Sequence, residues 1–210
     1  MRLPARILAA ALVLAASAGT AGAQQKTETA IFAGGCFWCV ESDFDKVPGV
    51  LETTSGYTGG HVDNPTYEQV SHENTGHREA VRIVYDPAKV SYDRLLTAYF
   101  HSVDPTDAGG QFCDRGESYE SVIYALDETQ KTKAEAAKAA AAKELGKAIA
   151  TQVVAASKFY PAEGYHQDYY KKNPIRYSFY RWNCGRNQAV EEVWGDRAYL
   201  GIPKDHKKAE

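Results

Sequence analysis

Hydrophobic and polar positions along this chain follow two periods, one typical of strands and one typical of helices. Short apolar or alternating runs bounded by turn residues predict strands. Longer segments that open with a Ser or Asp cap and repeat apolar residues three and four positions apart predict helices. The predicted strands are 29–33, 51–57, 79–86, 121–126 and 150–156, and the predicted helices are 36–46, 91–104, 128–145, 165–172 and 188–194.

These elements follow one another without regular alternation, and the sequence contains no internal repeat and no linker. A strict strand-helix alternation would favour a parallel sheet with helices on both faces, whereas a mixed order favours helices packed on a mixed or antiparallel sheet. The sequence therefore predicts one compact α+β domain with a mixed, mostly antiparallel sheet.

The first residues have the pattern of a secretory signal rather than of a folded element. Arg2 and Arg6 supply the positive charge, 7–16 is apolar, and small residues follow. The apolar stretch is too short to span a bilayer, and no later segment approaches the ~20 apolar residues that a spanning helix needs. We expect a signal peptide over 1–23, a catalytic domain over 24–210, no membrane insertion, and an exported, periplasmic or secreted, protein.

Length, charge and composition narrow the class of protein further. The chain has 210 residues and a formal net charge of −3, without a basic stripe, which argues against a nucleic-acid partner. A chain of this length forms an adequate core without disulfides, so its four cysteines are available for chemistry. Its 14 tyrosines suit a pocket that recognises a small polar group attached to an apolar one. We expect the protein to act as a monomer.

The strongest chemical signal is Cys36, which follows a strand and a Gly-Gly turn and begins a helix. A free thiol is only roughly 3% ionised at pH 7, but the N-terminus of a helix favours the thiolate. Cys39 falls on the same helix face and forms a Cys-x-x-Cys pair with Cys36. Phe37 and Trp38 can form an apolar wall beside the sulfur. Cys36 is therefore the predicted reactive centre.

A second candidate, Glu79, begins a strand face that continues with Val81, Ile83 and Tyr85. A carboxyl group at the head of an apolar face is expected to be at least half buried, which raises its pKa into the range of a general acid. The pattern equally allows Glu79 to lie in water at the strand end or to pair with a basic neighbour such as Arg82 or His77.

Six short motifs, taken together and in this order, resemble the A-type peptide methionine sulfoxide reductases. The match covers most of the chain after the predicted signal, which makes it far more specific than a single Cys-x-x-Cys. The motifs are GCFW at 35–38, GYTGG at 56–60, NPTY at 64–67, TGHREAV at 75–81, DRGESY at 114–119 and HQDY at 166–169.

The resemblance implies a reaction at Cys36, whose thiolate attacks the sulfoxide sulfur while Glu79 protonates the oxygen. It assigns Tyr67 and Tyr119 to hold that oxygen and Asp114 to support the hydrogen-bond network. Phe37 and Trp38 would cradle the S-methyl group.

The same resemblance implies the remaining partners. The implied substrate is methionine S-sulfoxide, free or in oxidised proteins. A second thiol would then condense with the sulfenic acid on Cys36 to form a disulfide. A thioredoxin-like protein or dithiothreitol then resets the enzyme by thiol exchange. No bound cofactor and no metal are expected.

The resolving thiol is open, because many family members have glycine where this chain has Cys39 and use cysteines of a glycine-rich tail. This tail offers Cys184 instead. Cys39 is held near Cys36 by the helix and is slightly favoured, whereas Cys184 and Cys113 can also pair with each other as a structural bond.

Two functions of other classes compete with the reductase. One is a metal-binding module that uses all four cysteines, although the ligand spacing of a zinc site is absent. The other is a general thiol-disulfide oxidoreductase, which would need neither Glu79 nor the tyrosine pair.

Overall fold

The computed structural model describes residues 26–72 and 74–203. The predicted signal peptide, 1–23, lies outside the described residues. Among the residues that are described, no helix has both the length and the apolar character needed to cross a membrane.

The fold is built on a mixed sheet of six strands, with a second pair of short strands beside it. Seven helices and two 3-10 turns surround the sheet within the described residues. The strands are β1 (Glu28–Gly34), β2 (Val50–Thr58), β3 (Arg78–Tyr85), β4 (Gly110–Gln111), β5 (Asp114–Arg115), β6 (Ser121–Ala125), β7 (Gln152–Ala155) and β8 (Tyr160–Pro161). The helices are α1 (Phe37–Phe44), α2 (Tyr67–Ser71), α3 (Tyr92–Phe100), α4 (Glu128–Leu145), α5 (Tyr169–Lys172), α6 (Pro174–Asn183) and α7 (Arg186–Trp194). The 3-10 turns are Glu117–Tyr119 and Gly195–Arg197.

The six strands lie in the order β7-β6-β1-β3-β2-β8, so β1 occupies the middle of the sheet. Neighbouring strands are antiparallel except β6 and β7, which are parallel and are joined through α4. A helical crossover is what a parallel pair requires. The predicted α+β class with a mixed, mostly antiparallel sheet is confirmed.

The main core lies between one face of this sheet and helices α1, α3 and α4. Phe32 of β1 is fully buried, with its ring centroid 5.5 Å from that of Phe44 in α1 and 4.9 Å from that of Tyr99 in α3. Val81 and Ile83 of β3 are buried in the same cluster. This packing fixes α1, and therefore the residue that begins it, against the centre of the sheet.

Local cap chemistry explains why α4 has the predicted bounds. Asp127 accepts a hydrogen bond from the backbone N–H of Gln130 at 2.7 Å, and Gly146 ends the helix in a left-handed conformation.

The C-terminal third differs from the prediction in three elements. Residues 160 and 161, which lie outside the predicted strands, form the short strand β8, which pairs with β2. The helix predicted over 165–172 begins only at Tyr169, because Asp168 before it has a left-handed backbone with φ of 53°. Helix α6 was not predicted, and it begins at Pro174, since proline fits the first helical position, where its missing N–H is not needed.

Candidate active site

Cys36 lies at the junction between the central strand and helix α1. Gly35 turns the chain there with φ of +81°, and a Cβ on it would lie 2.7 Å from Cβ of Gln111, so a larger residue would force this loop apart. Cys36 occupies the N-cap position of α1 and is only 6% exposed. The strand-turn-helix arrangement predicted for this stretch is therefore observed.

Glu79 lies on the adjacent strand β3, on the face that meets the start of α1. The register pairs Phe32 with Val81, which brings Glu79 level with the end of β1. Its side chain is buried, and Oε2 accepts a hydrogen bond from the backbone N–H of Phe37 at 2.9 Å. The sequence also allowed Glu79 to be exposed to water or to pair with Arg82 or His77. The structure shows it buried and bonded to the Phe37 N–H instead.

Burial sets the protonation state of Glu79. Desolvation raises the pKa of this carboxyl group to about 8, and the nearby charge of Asp114 adds to the rise, while the Phe37 N–H opposes it. Glu79 is therefore mainly the neutral acid at pH 7, able to donate a proton.

A cavity of about 60 Å³ brings together the residues of the four predicted roles: nucleophile, acid, oxygen-binding hydroxyls and apolar wall. Its volume admits a few groups of the size of water or a methyl. The lining residues are Cys36, Phe37, Trp38, Tyr67, Glu79, Asp114, Tyr119 and Tyr180.

The two predicted tyrosines reach this cavity from separate turns. Tyr67 is the first residue of α2, where its backbone N–H donates to Oε1 of Glu163 at 2.9 Å. Tyr119 ends the 3-10 turn that precedes β6. Burial raises the pKa of Tyr67 to about 12, and it also raises that of Tyr119. Both hydroxyls therefore remain protonated donors.

The indole of Trp38 is held from two sides. It stacks on Tyr169 with centroids 3.8 Å apart and an interplanar angle of 7°, and its Nε1 donates to Nδ1 of His166 at 3.0 Å. Burial lowers the pKa of His166, which favours the neutral ring that accepts this bond. Trp38 is thus a fixed wall, and His166 and Tyr169 from the HQDY motif position it.

Tyr180 of α6 also lines the cavity, and the sequence reasoning did not select it. Its hydroxyl donates to Oδ2 of Asp114 at 2.5 Å, and its ring meets Trp38 edge-on at 5.7 Å between centroids. The clustering of aromatic residues in the tail was visible in the sequence. Nothing in that pattern indicated which of them faces Cys36, because the helix that carries them was not predicted.

A disulfide joins Cys113 to Cys184 and anchors this part of the site. Cys113 immediately precedes Asp114, and Cys184 follows Tyr180 by one helical turn, so the bond holds Asp114 and Tyr180 together.

The same bond excludes the metal site formed by four cysteines, because two of the required thiolates are joined to each other. Within the described residues, the one cluster with metal-ligand spacing is Cys113, Asp114 and Cys184, and its two sulfurs are those of this disulfide.

Cys36 and Cys39 are free thiols, and both are buried. Burial raises the pKa of Cys36, and its hydrogen bond to Cys39 and the carboxyl groups of Glu79 and Asp114 raise it further. The hydrogen bond from Cys36 lowers the pKa of Cys39 to about 7. The positive charges of Arg181 and Arg186 also lower it. Of the two thiols, Cys39 is therefore the more acidic, whereas the helix N-terminus alone had predicted a thiolate at Cys36.

Comparison with known proteins places this geometry in a family. The sequence model of the family described as "Peptide methionine sulfoxide reductase" matches residues 28–198. Peptide methionine sulfoxide reductase MsrA 2 of Rhizobium meliloti (strain 1021) is 60% identical over 173 residues, which cover 82% of this chain and 86% of the relative. Peptide methionine sulfoxide reductase MsrA of Bacillus subtilis (strain 168) is 50% identical over 173 residues, covering 81% and 98%.

Solved structures agree with the sequence comparison. Methionine sulfoxide reductase A of Corynebacterium diphtheriae superposes with a TM-score of 0.69 at 35% identity, covering 72% of this chain and 77% of that one. Mxr1 from Saccharomyces cerevisiae in reduced form gives a TM-score of 0.67 at 27% identity, covering 71% and 87%. The chain belongs to the peptide methionine sulfoxide reductase family.

Proposed function

We propose that this protein reduces methionine S-sulfoxide, free or in oxidised proteins, to methionine. The observation that carries the proposal is the cavity that places a cysteine thiol, a neutral carboxylic acid and two tyrosine hydroxyls around one small space with an aromatic wall. A methyl sulfoxide group needs these contacts: an apolar surface for its methyl, donors for its oxygen and a nucleophile for its sulfur.

In the first half-reaction, the sulfur of Cys36 attacks the sulfoxide sulfur while Glu79 gives its proton to the sulfoxide oxygen. The hydroxyls of Tyr67 and Tyr119 donate to that oxygen as its charge changes. The hydroxyl group then moves from the substrate sulfur to the Cys36 sulfur: its bond to the substrate breaks and a bond to Cys36 forms. The temporary S–S bond between Cys36 and the substrate breaks with its electron pair returning to the substrate sulfur, so methionine leaves and Cys36 becomes a sulfenic acid. The proton lost by the Cys36 thiol restores the acid form of Glu79, so atoms and charge balance.

In the second half-reaction, Cys39 attacks the sulfenic acid and forms a disulfide with Cys36, releasing water. Cys39 is a free thiol three residues from Cys36, whereas Cys184 is bonded to Cys113 and must first be released by exchange. A dithiol reductant of the thioredoxin type then attacks the sulfur of Cys36, which lines the cavity. The whole site comes from one chain, which supports action as a monomer.

We further propose that the protein acts after export and repairs oxidised exported proteins. The proposal rests on the charged and apolar pattern of 1–23. N-terminal sequencing of the protein recovered from the exported fraction should give a chain that begins at residue 24, whereas an intact N-terminus confined to the cytosolic fraction would contradict export.

The activity is tested by supplying the separate S and R epimers of a methionine sulfoxide peptide and of the free amino acid, with dithiothreitol as reductant. We expect methionine from the S epimer only, and none from the Cys36→Ser protein, which folds around the same cavity but lacks the nucleophile. Absence of methionine from the S epimer with the native protein would refute the proposed function.

A further inference from the structure

A buried cluster of charged side chains lies one helical turn along α1 from Cys39, where arginines of α6 and α7 reach this helix. Asp43 is one helical turn after Cys39 on the same face of α1, and its side chain is 3% exposed. Arg181 of α6 contacts both oxygens of Asp43, at 2.9 Å from Nη1 and 3.1 Å from Nη2. Arg186 of α7 approaches the same carboxylate, with Nε 4.0 Å from Oδ2.

Arg186 is the more deeply buried of the two guanidinium groups, with 2% of its side chain exposed. Its Nη1 donates to the carbonyl of Gly34 at 3.1 Å, and its Nη2 donates to the carbonyl of Ser102 at 3.0 Å. Nε is buried and has no hydrogen-bond partner among the described residues. Arg186 thus lies directly under the turn that presents Cys36.

The charges of this cluster do not balance. Two guanidinium groups share one carboxylate, because Asp43 is the ion-pair partner of both Arg181 and Arg186 within the described part of the chain. Buried charges in proteins are normally paired, since an unpaired ion loses its hydration without compensation. One further anion is therefore expected beside the arginines, and Cys39 on the same helix face can provide it as a thiolate.

The other groups that face the cluster do not supply that anion. Burial raises the pKa of both Tyr177 and Tyr199, whose hydroxyls accept hydrogen bonds from Arg181, so both phenols are neutral. Lys46 and Glu191 line the same cleft as Asp43 and Arg181, and Glu191 is exposed there, so water screens its charge.

We propose that Arg181 and Arg186 are positioning residues that hold Cys39 as a thiolate. In this state Cys39 is prepared to resolve the sulfenic acid on Cys36. The inference deepens the proposed function and rests on it. The pKa of Cys39, lowered to about 7 by the hydrogen bond from Cys36 and by the two arginines, agrees with the charge count.

The step that this thiolate performs is balanced. The Cys39 sulfur attacks the sulfur of the Cys36 sulfenic acid, an S–S bond forms, and the S–O bond breaks. The sulfenic sulfur is reduced and the thiolate is oxidised to the same disulfide level, while the departing hydroxide takes one proton from the solvent and leaves as water.

The gain in rate is moderate and depends on pH. A thiol with a pKa of about 7 is half ionised at pH 7, whereas one with a pKa of about 8.5 is roughly 3% ionised. The lower basicity reduces intrinsic nucleophilicity about fivefold over that span, so the net gain is about threefold at pH 7 and about sixfold at pH 6. The hydrogen bond from Cys36 and the two arginines together therefore matter most on the acid side of neutrality.

The test is a pH titration of the thiolate absorbance of Cys39 in full-length protein carrying Cys36→Ser. Cys39 is then the remaining free thiol, because Cys113 and Cys184 are bonded, and the serine hydroxyl still donates to it. We expect a midpoint near pH 7, well below the ordinary value of about 8.5.

Three further substitutions separate charge from structure, and a fourth is the control. Arg181→Gln should raise the midpoint by about one pH unit, and Arg181→Lys should keep it low. Asp43→Asn should move it in the opposite direction, because it removes the anion that competes with Cys39. Arg176→Gln, on the exposed side of the same helix, is the matched control and should leave it unchanged.

A midpoint at or above about 8.5 in the Cys36→Ser protein would overturn the inference. Shifts of the same sign in Arg181→Gln and Asp43→Asn would also overturn it, since a structural role disturbs the site in one direction. If Arg181→Gln does not fold, the inference is still tested by the midpoints of the Cys36→Ser protein and of Asp43→Asn. Single-turnover release of methionine by the native protein tests the proposed function separately, because that step precedes attack by Cys39.

Discussion

Replacing Glu79 with Gln tests the acid in the proposed first half-reaction. The change keeps the size of the side chain, and the amide oxygen can still accept the hydrogen bond from the Phe37 N–H, which is 2.9 Å long in the native protein. It removes the proton that would pass to the sulfoxide oxygen. We therefore expect a folded protein with a slow first step.

The size of the effect follows from burial. With an ordinary pKa of 4.5, Glu79 would be protonated in about 0.3% of molecules at pH 7, whereas with its raised pKa of about 8 it is protonated in about 90%. Burial thus increases the population of the acid about 300-fold. Loss of a general acid typically costs 10²- to 10⁴-fold in rate, which corresponds to roughly 2.7 to 5.5 kcal/mol of activation free energy.

The assay is a single turnover with one equivalent of methionine S-sulfoxide and no reductant, in which released methionine is measured by rapid quenching. The native rate should fall above about pH 8, because Glu79 then loses its proton in the folded enzyme. Glu79→Gln should be slow at every pH and should lack this decline.

Glu41→Gln is the matched control, because Glu41 is another buried carboxyl group whose pKa is raised, to about 7, by burial. Its Oε2 accepts the backbone N–H of Asp168 at 3.1 Å, and it does not line the cavity. It should release methionine at close to the native rate. Native speed in Glu79→Gln, or an equal loss in Glu41→Gln, would refute the assignment.

Three further predictions concern the cysteines and an oxygen-binding hydroxyl. After one equivalent of sulfoxide, Cys39→Ser should accumulate sulfenic acid on Cys36 by mass spectrometry, and a Cys36 disulfide formed at the native rate would instead indicate Cys184. Cys113→Ser opens a disulfide with a sequence separation of 71 and should lower the free energy of unfolding by about 4 kcal/mol in urea denaturation, so an unchanged midpoint would contradict an anchoring role. Tyr119→Phe should slow methionine release by about 10²-fold, and a native rate would remove that hydroxyl from the mechanism.

The position of the disulfide affects which thiol can attack the sulfenic acid on Cys36. Formation of the Cys113–Cys184 bond leaves Cys36 and Cys39 as the free pair, and it keeps Asp114 and Tyr180 in contact. The sequence allowed both this pairing and a resolving role for Cys184. A bond that anchors the cavity and a separate pair that turns over can coexist in one chain, because a bond that closes a loop with a sequence separation of 71 stabilises the fold.

The sequence determined the elements whose causes are local. The strand, Gly-Gly turn and helix around Cys36 follow from an apolar run, two glycines and a change of period. Helix α4 has the bounds that its Asp127 cap and Gly146 stop predict. The place of Glu79 at the head of an apolar strand face also followed from alternation alone. Each of these features depends on residues within one turn or one strand.

Helix α6 was not predicted from the sequence, because its proline and its exposed apolar residues are not typical of a surface helix. Pro174 suggested the end of a helix, and Ile175, Phe179 and Trp182 are large apolar residues on the exposed side. The inward side instead carries Tyr177, Tyr180 and Arg181, so the usual contrast between an apolar buried face and a polar exposed face is blurred.

Only the tertiary structure decided the electrostatic state of the site. The pKa of Glu79 depends on burial beneath α1, which the strand pattern left open. Cys39 has the lower pKa of the two thiols, because Cys36 donates a hydrogen bond to it and because Arg181 and Arg186, more than 140 positions away along the chain, add positive charge near it. Nearby residues determine where a helix begins and ends. The desolvation of a thiol and the charges around it depend instead on which distant segments pack against it.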